Sequence, residues 1–374
     1  MSEPIRVLCV FASLNRGGSE TMCMELYRHI DRSRVQFDFV KHTPQKCAYE
    51  DEILSLGGRI YEAPRYLIYN HIAYCRWWKR HLAEHPEHKI IHGHFYTVAS
   101  VYFKVCKKMN RITVGHSHST SCDRDKNSKR LISKLKLKYK LHFLKKLEDK
   151  SDYCFACSQD AGNWLFPNKK FTVLKNAFDI EKFKFDPETR QNARSELNLA
   201  DSDFVVGTVG RLINVKNPDG VIDIFKSVLA GNPSAKLLWV GYGELREKIE
   251  QRIRQENLTS SVIMTGVRSD VERMLQAMDV FIFPSFLEGL GIVAVEAQTA
   301  GMPCFCSDTI PKEVAVTELC SFLPLNQPDL WADKILTSDI KRRDVTQKIR
   351  KAGYDINTTS KWLEEFYCGC VNGQ

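Results

Sequence analysis

The sequence predicts an α/β protein with two Rossmann-like domains, whose parallel sheets are expected to face each other across a cleft. Three observations support this fold class. The chain has 374 residues, more than one ordinary core holds. Short apolar runs alternate with helix-like segments. A polar stretch at 186–202 separates two such series. Hydrophobic residues make up 43% of the chain and charged residues 26%, which is the balance of a globular protein.

The first series opens with the apolar run IRVLCVFASL at 5–14, which continues into NRGGSE and a helical pattern from Thr21 to His29. A strand, a glycine loop and a helix in this order open a nucleotide-binding βα unit. Further strands are predicted at 35–40, 89–95, 111–117 and 152–158. We therefore expect residues 1–180 to form the first domain.

The second series begins with the run DFVVGTVGRL at 203–212. Further strands are predicted at 235–243, 261–266, 279–285 and 301–307. Because each run is followed by a helix-like segment, this half also indicates a parallel sheet. We expect residues 181–355 to form the second domain. The helix-like segment within 356–374 is expected to join the first domain, although its aromatic side chains would suit either one.

The chain lacks the marks of a secreted or membrane-spanning protein. Its opening MSEPIRVLCVFASL has no basic region followed by a long apolar run and a small-residue cleavage site. No stretch approaches the roughly 20 apolar residues needed to cross a bilayer. We therefore expect a cytoplasmic protein.

The thirteen cysteines are predicted to be reduced thiols, because their number is odd and most lie in apolar runs. Cys9, Cys154, Cys157 and Cys304 are expected in the core. The Cys154-x-x-Cys157 spacing would also suit a metal or redox pair, but a buried strand explains the same residues.

The net charge of +9 is concentrated in the segment 124–150, which has eleven Lys or Arg residues and three Asp or Glu residues. Apolar residues recur about every four positions, from Leu131 to Leu147, as in a basic amphipathic helix on anionic lipid. Strict alternation from Leu135 to Phe143 would also fit a strand. A solvated helix face is an equal alternative to membrane contact. The segment therefore leaves two interpretations open, a peripheral contact with the inner face of the cell membrane and a solvated helix.

The segment from Phe283 to Ala297 contains the most informative motif. A strand ends at Pro284, a glycine loop follows, and a helix begins near Gly291, where free backbone N–H groups attract phosphate. Glu288 lies on the loop, and Glu296 follows about two helical turns later. One carboxylate would then contact a sugar ring while the other reaches ribose hydroxyls. A charged first helical turn would explain Glu288 but not the paired glycines.

A second motif lies at the end of the first strand of the second series, from Gly210 to Pro218. Arg211 and Lys216 are two cations on a loop that leads into a helix, and together they would clamp a diphosphate without a metal ion. Alone, such a pair is more often just solvated. Combined with the glutamate loop, it indicates a diphosphate site.

Four segments resemble the retaining glycosyltransferases of family 4, which have the two-Rossmann-domain fold called GT-B. They are GRLxxxKN from Gly210, VGYGELR at 240–246, GVRSDV at 266–271 and EGLGIVAVEAQTAGMP at 288–303. NRGGSETMCMELYR, HSHST and KNAFDIEKF narrow the resemblance to enzymes that build bacterial capsular polysaccharides and exopolysaccharides. The similarity extends from about residue 5 to residue 310.

The resemblance implies roles for residues of the second domain. Arg211 and Lys216 would bind the donor diphosphate and stabilise the leaving group, and Glu296 would hold the ribose. Glu288 would hold the donor sugar and phosphate with the backbone amides of Gly289, Leu290, Gly291 and Ile292. Arg268 would meet the nucleobase with Gly241 nearby.

In the first domain, Gly17 and Gly18 would let the backbone approach the phosphate or the acceptor. His116 would lie beside the transferred sugar and act in catalysis with Glu288, Arg211 and Lys216. His118 competes with it for this role, and His92 and His94 are left as cleft or packing residues.

The resemblance implies retaining transfer of a sugar from a nucleotide diphosphate sugar, with uridine as the expected base, to a glycan or lipid-linked glycan acceptor. The acceptor hydroxyl would attack the anomeric carbon from the face that the diphosphate leaves, without a metal or cofactor. No nucleic acid partner is expected. Two alternatives stay open, a nucleotide-sugar epimerase of the same fold and a non-catalytic nucleotide-sugar-binding scaffold.

Overall fold

The computed structural model describes residues 3–94, 96–119 and 146–373 and divides the chain into two compact units. The first unit contains Met1–Phe178 and Asp355–Gln374, and the second contains Asp179–Tyr354. The second unit is therefore inserted into the first along the chain.

The first unit is built on a seven-stranded parallel sheet with the order β3-β2-β1-β4-β5-β6-β7. Its strands are β1 Ile5–Val10, β2 Val35–Lys41, β3 Ile60–Glu62, β4 His88–Gly93, β5 Ile112–Ser117, β6 Tyr153–Ala156 and β7 Thr172–Val173. Its described helices before the insertion are α1 Gly18–His29, α2 Glu50–Ser55, α3 His71–Glu84, α4 Tyr96–Lys108, α5 Leu147–Lys150 and α6 Gln159–Leu165. All five strands predicted in this half are confirmed, and β3 and β7 were not predicted.

The second unit is built on a six-stranded parallel sheet with the order β10-β9-β8-β11-β12-β13. Its strands are β8 Phe204–Val209, β9 Ala235–Val240, β10 Val262–Gly266, β11 Val280–Phe283, β12 Cys304–Ser307 and β13 Cys320–Leu323. Its helices are α7 Ile180–Phe183, α8 Pro187–Glu196, α9 Pro218–Gly231, α10 Arg246–Gln255, α11 Val271–Ala277, α12 Ile292–Thr299, α13 Pro328–Leu336 and α14 Thr346–Lys351. The five strands predicted here are confirmed, with β13 added.

The last helix, α15 Ile356–Asn372, belongs to the first unit. Asp355 caps its start by accepting a hydrogen bond from the Thr358 backbone N–H at 3.1 Å. Leu363 and Tyr367 are buried against residues of β1 and α1. The first unit therefore completes its core with a segment far from the rest of it in sequence.

Both faces of the first sheet are covered by apolar side chains. Along β1, Val7 and Cys9 enter the cluster that contains α15, whereas Leu8 and Val10 enter the cluster that contains α3 and α4. This alternation follows from the period of two along a strand. It explains why the central strands read as unbroken apolar runs.

The strand order reverses once in each sheet, between β1 and β4 in the first and between β8 and β11 in the second. In open α/β sheets, ligands bind beyond the carboxyl ends of the strands at this reversal. The loops that follow these four strands are therefore expected to bind ligands.

The four cysteines predicted in the core, Cys9, Cys154, Cys157 and Cys304, are buried free thiols. None of the helices in the described ranges is long and apolar enough to cross a membrane. The predicted basic segment lies outside the described residues except for 146–150.

Candidate functional site

The loop after β8 lies at the reversal of the second sheet and leads into a capped helix. A single turn of 3-10 helix at Asn214–Lys216 follows Arg211, whose side chain is exposed. Asn217 then adopts a left-handed conformation with φ of 52°. Its side chain accepts a hydrogen bond from the Gly220 backbone N–H at 3.1 Å and caps α9. Pro218 at the first helical position fixes the start of α9 further.

The loop after β11 ends at Gly291, which precedes α12 and has a φ of +88°. A Cβ atom added there would lie 2.9 Å from Cε1 of Phe283. This position therefore requires glycine on both conformational and steric grounds. Gly291, the residue that precedes α12, has no side chain to cap the helix, and the N–H groups of a helix start are suited to an anionic ligand.

The two loops meet through their backbones and through an ion pair. The Phe286 backbone N–H donates to the Val215 carbonyl at 2.9 Å. Lys216 Nζ lies 2.5 Å from Glu288 Oε1 and 5.0 Å from the centre of the Phe283 ring. The Glu288 side chain is only 10% exposed and that of Lys216 23%. A cation and a carboxylate predicted from separate motifs thus converge beside the start of α12.

Gly241, which follows β9, lies against the loop after β8. It has a φ of +140°, and an added Cβ would come within 2.0 Å of the Gly210 carbonyl oxygen. Its own N–H donates to the Gly266 carbonyl at 2.8 Å. Glycine here allows the ends of β8, β9 and β10 to pack closely. Gly241 therefore shapes the edge on which Arg211 lies.

Arg268 follows β10, and its guanidinium contacts two acidic residues. It donates to Asp270 at 2.8 and 2.7 Å and to Glu196 of α8 at 2.9 Å. A nucleobase would have to share this side chain with both carboxylates. Glu296 lies in the second turn of α12 and is partly exposed. Gly289, Leu290 and Ile292 lie on the same glycine loop and helix start as Glu288.

Two residues of this site were not predicted, Phe283 and Ser285. Phe283 packs under Lys216 and against Gly291. The Ser285 hydroxyl is buried and has no hydrogen-bond partner among the described residues, while its carbonyl accepts from Ser307 Oγ at 2.6 Å. A hydroxyl residue two positions after a strand at the sheet reversal is the signal that would have identified it.

In the first unit, Gly17 and Gly18 lie at the start of α1, directly after the loop that follows β1. Gly17 has extended backbone angles and precedes the helix. A Cβ at Gly17 would meet the flexible end of the Glu20 side chain at 2.5 Å, and a Cβ at Gly18 would meet nothing within 4 Å. The space beside Gly18 is therefore open in the structure.

His116, at the end of β5, lies in a stack of four imidazole rings. His92 Nε2 lies 3.1 Å from His116 Nδ1, and His94 Nδ1 lies 2.9 Å from His118 Nε2. The ring centres of His92 and His94 are 4.2 Å apart, and those of His116 and His118 are 4.1 Å apart. The four histidines considered for the catalytic role in the sequence analysis thus form one cluster.

Burial keeps these histidines neutral at physiological pH. It lowers the pKa of His92 to about 3, with a further lowering by His118, and it lowers the pKa of His118 to about 3. Burial and the neighbouring imidazoles hold the pKa values of His94 and His116 well below the ordinary value. Desolvation disfavours the charged form of a buried imidazole.

Two groups among the described residues bring candidate metal ligands within 4.8 Å of one another, Cys9 with Cys23 and His94, and His92 with His94 and His116. The ring planes of His92 and His94 are only 24° apart, so their in-plane lone pairs lie side by side instead of converging. Burial raises the pKa of the Cys9 thiol well above its usual range, which disfavours the thiolate that binds metals. This geometry favours hydrogen-bonded neutral rings over a shared ion.

Comparisons with known proteins identify the family of this chain. Residues 16–182 match the family model for Glycosyltransferase Family 4, and residues 189–352 match that for Glycosyl transferases group 1. A protein of Bacillus subtilis (strain 168) named as a glycosyltransferase, EpsF, is 32% identical over 375 residues, covering 95% of this chain and 94% of that protein. The chain belongs to glycosyltransferase family 4. The resemblance inferred from the motifs is confirmed.

Two further matches concern part of the sequence and the fold. The Escherichia coli enzyme named UDP-Gal:alpha-D-GlcNAc-diphosphoundecaprenol alpha-1,3-galactosyltransferase is 34% identical over 144 residues, covering 37% of each chain. The crystal structure of Anabaena Alr3699/HepE in complex with UDP has a TM-score of 0.75 at 18% identity, covering 98% of this chain and 100% of that one. At that identity the second match concerns the fold alone, and it confirms GT-B.

Proposed function

We propose that this glycosyltransferase transfers a sugar from a UDP-sugar to a lipid-linked glycan and retains the anomeric configuration. The observation that carries the proposal is the Lys216–Glu288 pair, which joins the loops after β8 and β11 beside the start of α12. A lysine at such a place suits a diphosphate.

The donor diphosphate would replace Glu288 as the main partner of Lys216. Arg211 and the N–H groups of α12 would bind the remaining phosphate oxygens and stabilise the charge that develops as the bond to the sugar breaks. Glu288, released from Lys216, would accept hydrogen bonds from sugar hydroxyls. Glu296, a partly exposed carboxylate in α12, would hold the ribose.

Retention follows when the acceptor hydroxyl attacks the anomeric carbon from the face that the diphosphate leaves. In that arrangement a phosphate oxygen takes the proton of the attacking hydroxyl, so no separate protein base is needed. Positive charge develops on the sugar ring in the transition state. We propose that the neutral His116 side chain lies beside this sugar.

The relatives support the choice of donor and acceptor. HepE was solved with UDP, and the named Escherichia coli galactosyltransferase takes UDP-Gal and a diphosphoundecaprenol-linked acceptor. The test is a thermal-stability panel of UDP-, GDP-, ADP- and TDP-sugars, since a ligand that binds only the folded protein raises the melting temperature. Selective stabilisation by GDP- or ADP-sugars would contradict the UDP assignment.

The reaction itself is tested with the stabilising donor and a membrane-extracted acceptor. NMR of the product is expected to show the anomeric configuration of the donor, and an inverted linkage would refute the retaining mechanism. An epimerised sugar without acceptor would favour the epimerase alternative. Donor binding without transfer would favour the scaffold alternative.

We propose that transfer needs no metal ion, because Lys216 and Arg211 supply the positive charge that a metal would bring to a diphosphate. Activity is expected to persist after dialysis against EDTA. Loss of activity that Mg²⁺ or Mn²⁺ restores would contradict this proposal.

We further propose that the enzyme binds anionic membrane surfaces peripherally. Four of the twelve exposed large apolar side chains in the described residues cluster between positions 67 and 72. These are Leu67, Ile68, Tyr69 and Ile72, with exposures of 36%, 63%, 86% and 73%. Exposed basic residues flank them, namely Arg65, Arg76, Lys79 and Arg80. An apolar tip with basic flanks is typical of interfacial binding.

Sedimentation with phosphatidylglycerol vesicles tests this surface. Wild-type protein is expected to pellet at low salt and to be released at high salt. The double change Ile68→Ser and Tyr69→Ser should reduce pelleting several-fold. The control Leu54→Ser changes another exposed apolar residue of the same unit (56%) and should have no effect. Equal loss in both variants would contradict the assignment.

A further inference from the structure

A chain of hydrogen bonds in the first unit joins α15 to the histidine at the end of β5. Tyr367 Oη lies 2.5 Å from His92 Nδ1, and His92 Nε2 lies 3.1 Å from His116 Nδ1. The exposures of Tyr367, His92 and His116 are 0%, 1% and 0%. His116 Nε2, the last atom of this chain, is buried and has no hydrogen-bond partner among the described residues.

Donor strength decides the direction of these hydrogen bonds. If His116 donated to His92 and His92 donated to Tyr367, the phenol O–H would be left without an acceptor among the described residues. If Tyr367 donates instead, the Tyr367 and His92 protons have acceptors, and the donor left without one is the His116 Nε2–H. A phenol O–H is a stronger donor to an imidazole nitrogen than an imidazole N–H is to a phenol oxygen, which favours donation from Tyr367.

We propose that Tyr367 and His92 are positioning residues that hold His116 with its proton on Nε2, so that His116 donates a hydrogen bond to an oxygen of the sugar substrate. The identity of that substrate rests on the proposed function. The tautomer of His116, in contrast, is a property of the protein alone and is measured without substrate.

The neutral state of all three side chains supports this arrangement. Burial raises the pKa of Tyr367 well above its usual range, so its proton stays available for donation. Burial and the neighbouring rings hold the pKa of His116 well below its usual range. A neutral N–H can bind a substrate oxygen without repelling the positive charge that develops on the sugar ring.

The first experiment is ¹⁵N NMR of the full chain with labelled histidine. In wild-type protein we expect a protonated Nε2 and an unprotonated Nδ1 in both His92 and His116. Tyr367→Phe removes one oxygen and should convert both residues to mixtures of tautomers. A His116 protonated on Nδ1, or unchanged spectra in Tyr367→Phe, would overturn the proposal.

The second experiment measures transfer. Tyr367→Phe is expected to lower kcat about tenfold with little change in the donor KM, because it alters orientation and not donor binding. Tyr102→Phe is the matched control, since Tyr102 is also fully buried in the first unit and its hydroxyl has no hydrogen-bond partner among the described residues. The same loss in both variants would indicate a general packing effect and would contradict the proposal.

A metal titration separates this proposal from its main rival. Purified protein is incubated with Zn²⁺ alone, and bound zinc is measured in wild type and in His92→Gln. We expect no stoichiometric binding by wild type. One zinc per chain that is lost in His92→Gln would show that the histidines are ligands and would overturn the proposal. If the tautomers are as expected but no nucleotide sugar is consumed, the proposed function fails while the hydrogen-bond chain stands.

Discussion

The two sheets reverse their strand order in the same way, yet their carboxyl edges carry different chemistry. In the second unit, Lys216 and Glu288 form an ion pair at 2.5 Å. In the first unit, β4 and β5 carry His92 and His116, which burial keeps neutral. A charged pair is suited to a diphosphate, whereas neutral rings are suited to sugar hydroxyls. The comparison shows that the same sheet topology can carry a charged site or a neutral one. The side chains at the strand ends determine which kind of site forms.

Among the variants that test this comparison, the largest effect on kcat is expected from a change in the Lys216–Glu288 ion pair. Lys216→Ala should lower kcat by about 10²–10³, the range for removing one group that stabilises developing charge, and should weaken UDP binding far less. Lys248→Ala is the matched control, because Lys248 pairs with Asp219 on the surface of the same unit at 2.7 Å. Steady-state kinetics and calorimetry with UDP decide the result. An unchanged kcat would remove Lys216 from catalysis.

Because these histidines are neutral in the folded protein, we expect the first unit to lose stability in acid. The folded-state pKa of His92 is about 3, below the unfolded value of about 6.5. Between these values the unfolded chain binds more protons, so the free energy of unfolding falls as pH drops from 6.5 towards 3. At pH 5 the loss is about 2 kcal/mol for this residue.

Urea unfolding of wild type and of His92→Phe between pH 7 and pH 4.5 measures this loss. The variant should have a flatter dependence of stability on pH. Tyr102→Phe is the control, because burial raises the pKa of Tyr102 well above its usual range and this group therefore keeps its proton throughout the titration; it should leave the wild-type slope unchanged. Equal slopes in wild type and His92→Phe would indicate that the cluster is not neutral in the folded state.

A smaller effect is expected from the backbone of the second unit. Gly291→Ala should destabilise the protein by about 1–2 kcal/mol, because the residue has a left-handed conformation and its new Cβ would crowd Phe283. The affinity for the nucleotide-sugar donor should also fall, because the loop that ends at Gly291 carries Glu288. Gly369→Ala, in α15 with nothing within 4 Å of the new Cβ, is the control. A melting temperature that does not fall in Gly291→Ala would contradict this interpretation.

The smallest predicted effect concerns the nucleobase. If Arg268 contacts the base, Arg268→Ala should raise the donor KM several-fold with kcat unchanged. Arg273→Ala provides a close control, because Arg273 bonds the same two acidic residues, Asp270 and Glu196, each at 2.9 Å. Equal kinetics in the two variants would mean that Arg268 acts only in this surface ion-pair network.

Much of the fold was predictable because ten strands are apolar runs bounded by glycine or polar residues. β3, β7 and β13 were missed because they have only two to four residues and half-exposed side chains, so they lack a clear apolar run. α15 was predicted only as a helix-like segment within 356–374, and the structure gives its bounds as Ile356–Asn372. Its polar first turn depends on the Asp355 cap and not on hydrophobic spacing.

The candidate site was predictable where a motif is local. Glu288, Gly291 and Lys216 were identified because glycine loops and paired charges lie close together in sequence. The Phe286–Val215 hydrogen bond and the Tyr367–His92 contact join residues 71 and 275 positions apart. Such pairs depend on strand order and helix packing, so no local pattern reveals them.

The return of α15 to the first unit has a consequence for synthesis on the ribosome. β1, α1 and β4 emerge early, but the apolar face that Leu363 and Tyr367 cover stays open until the whole inserted unit has been translated. The unit that is translated later can therefore finish folding first. A nascent chain stalled before α15 should bind chaperones through this open face.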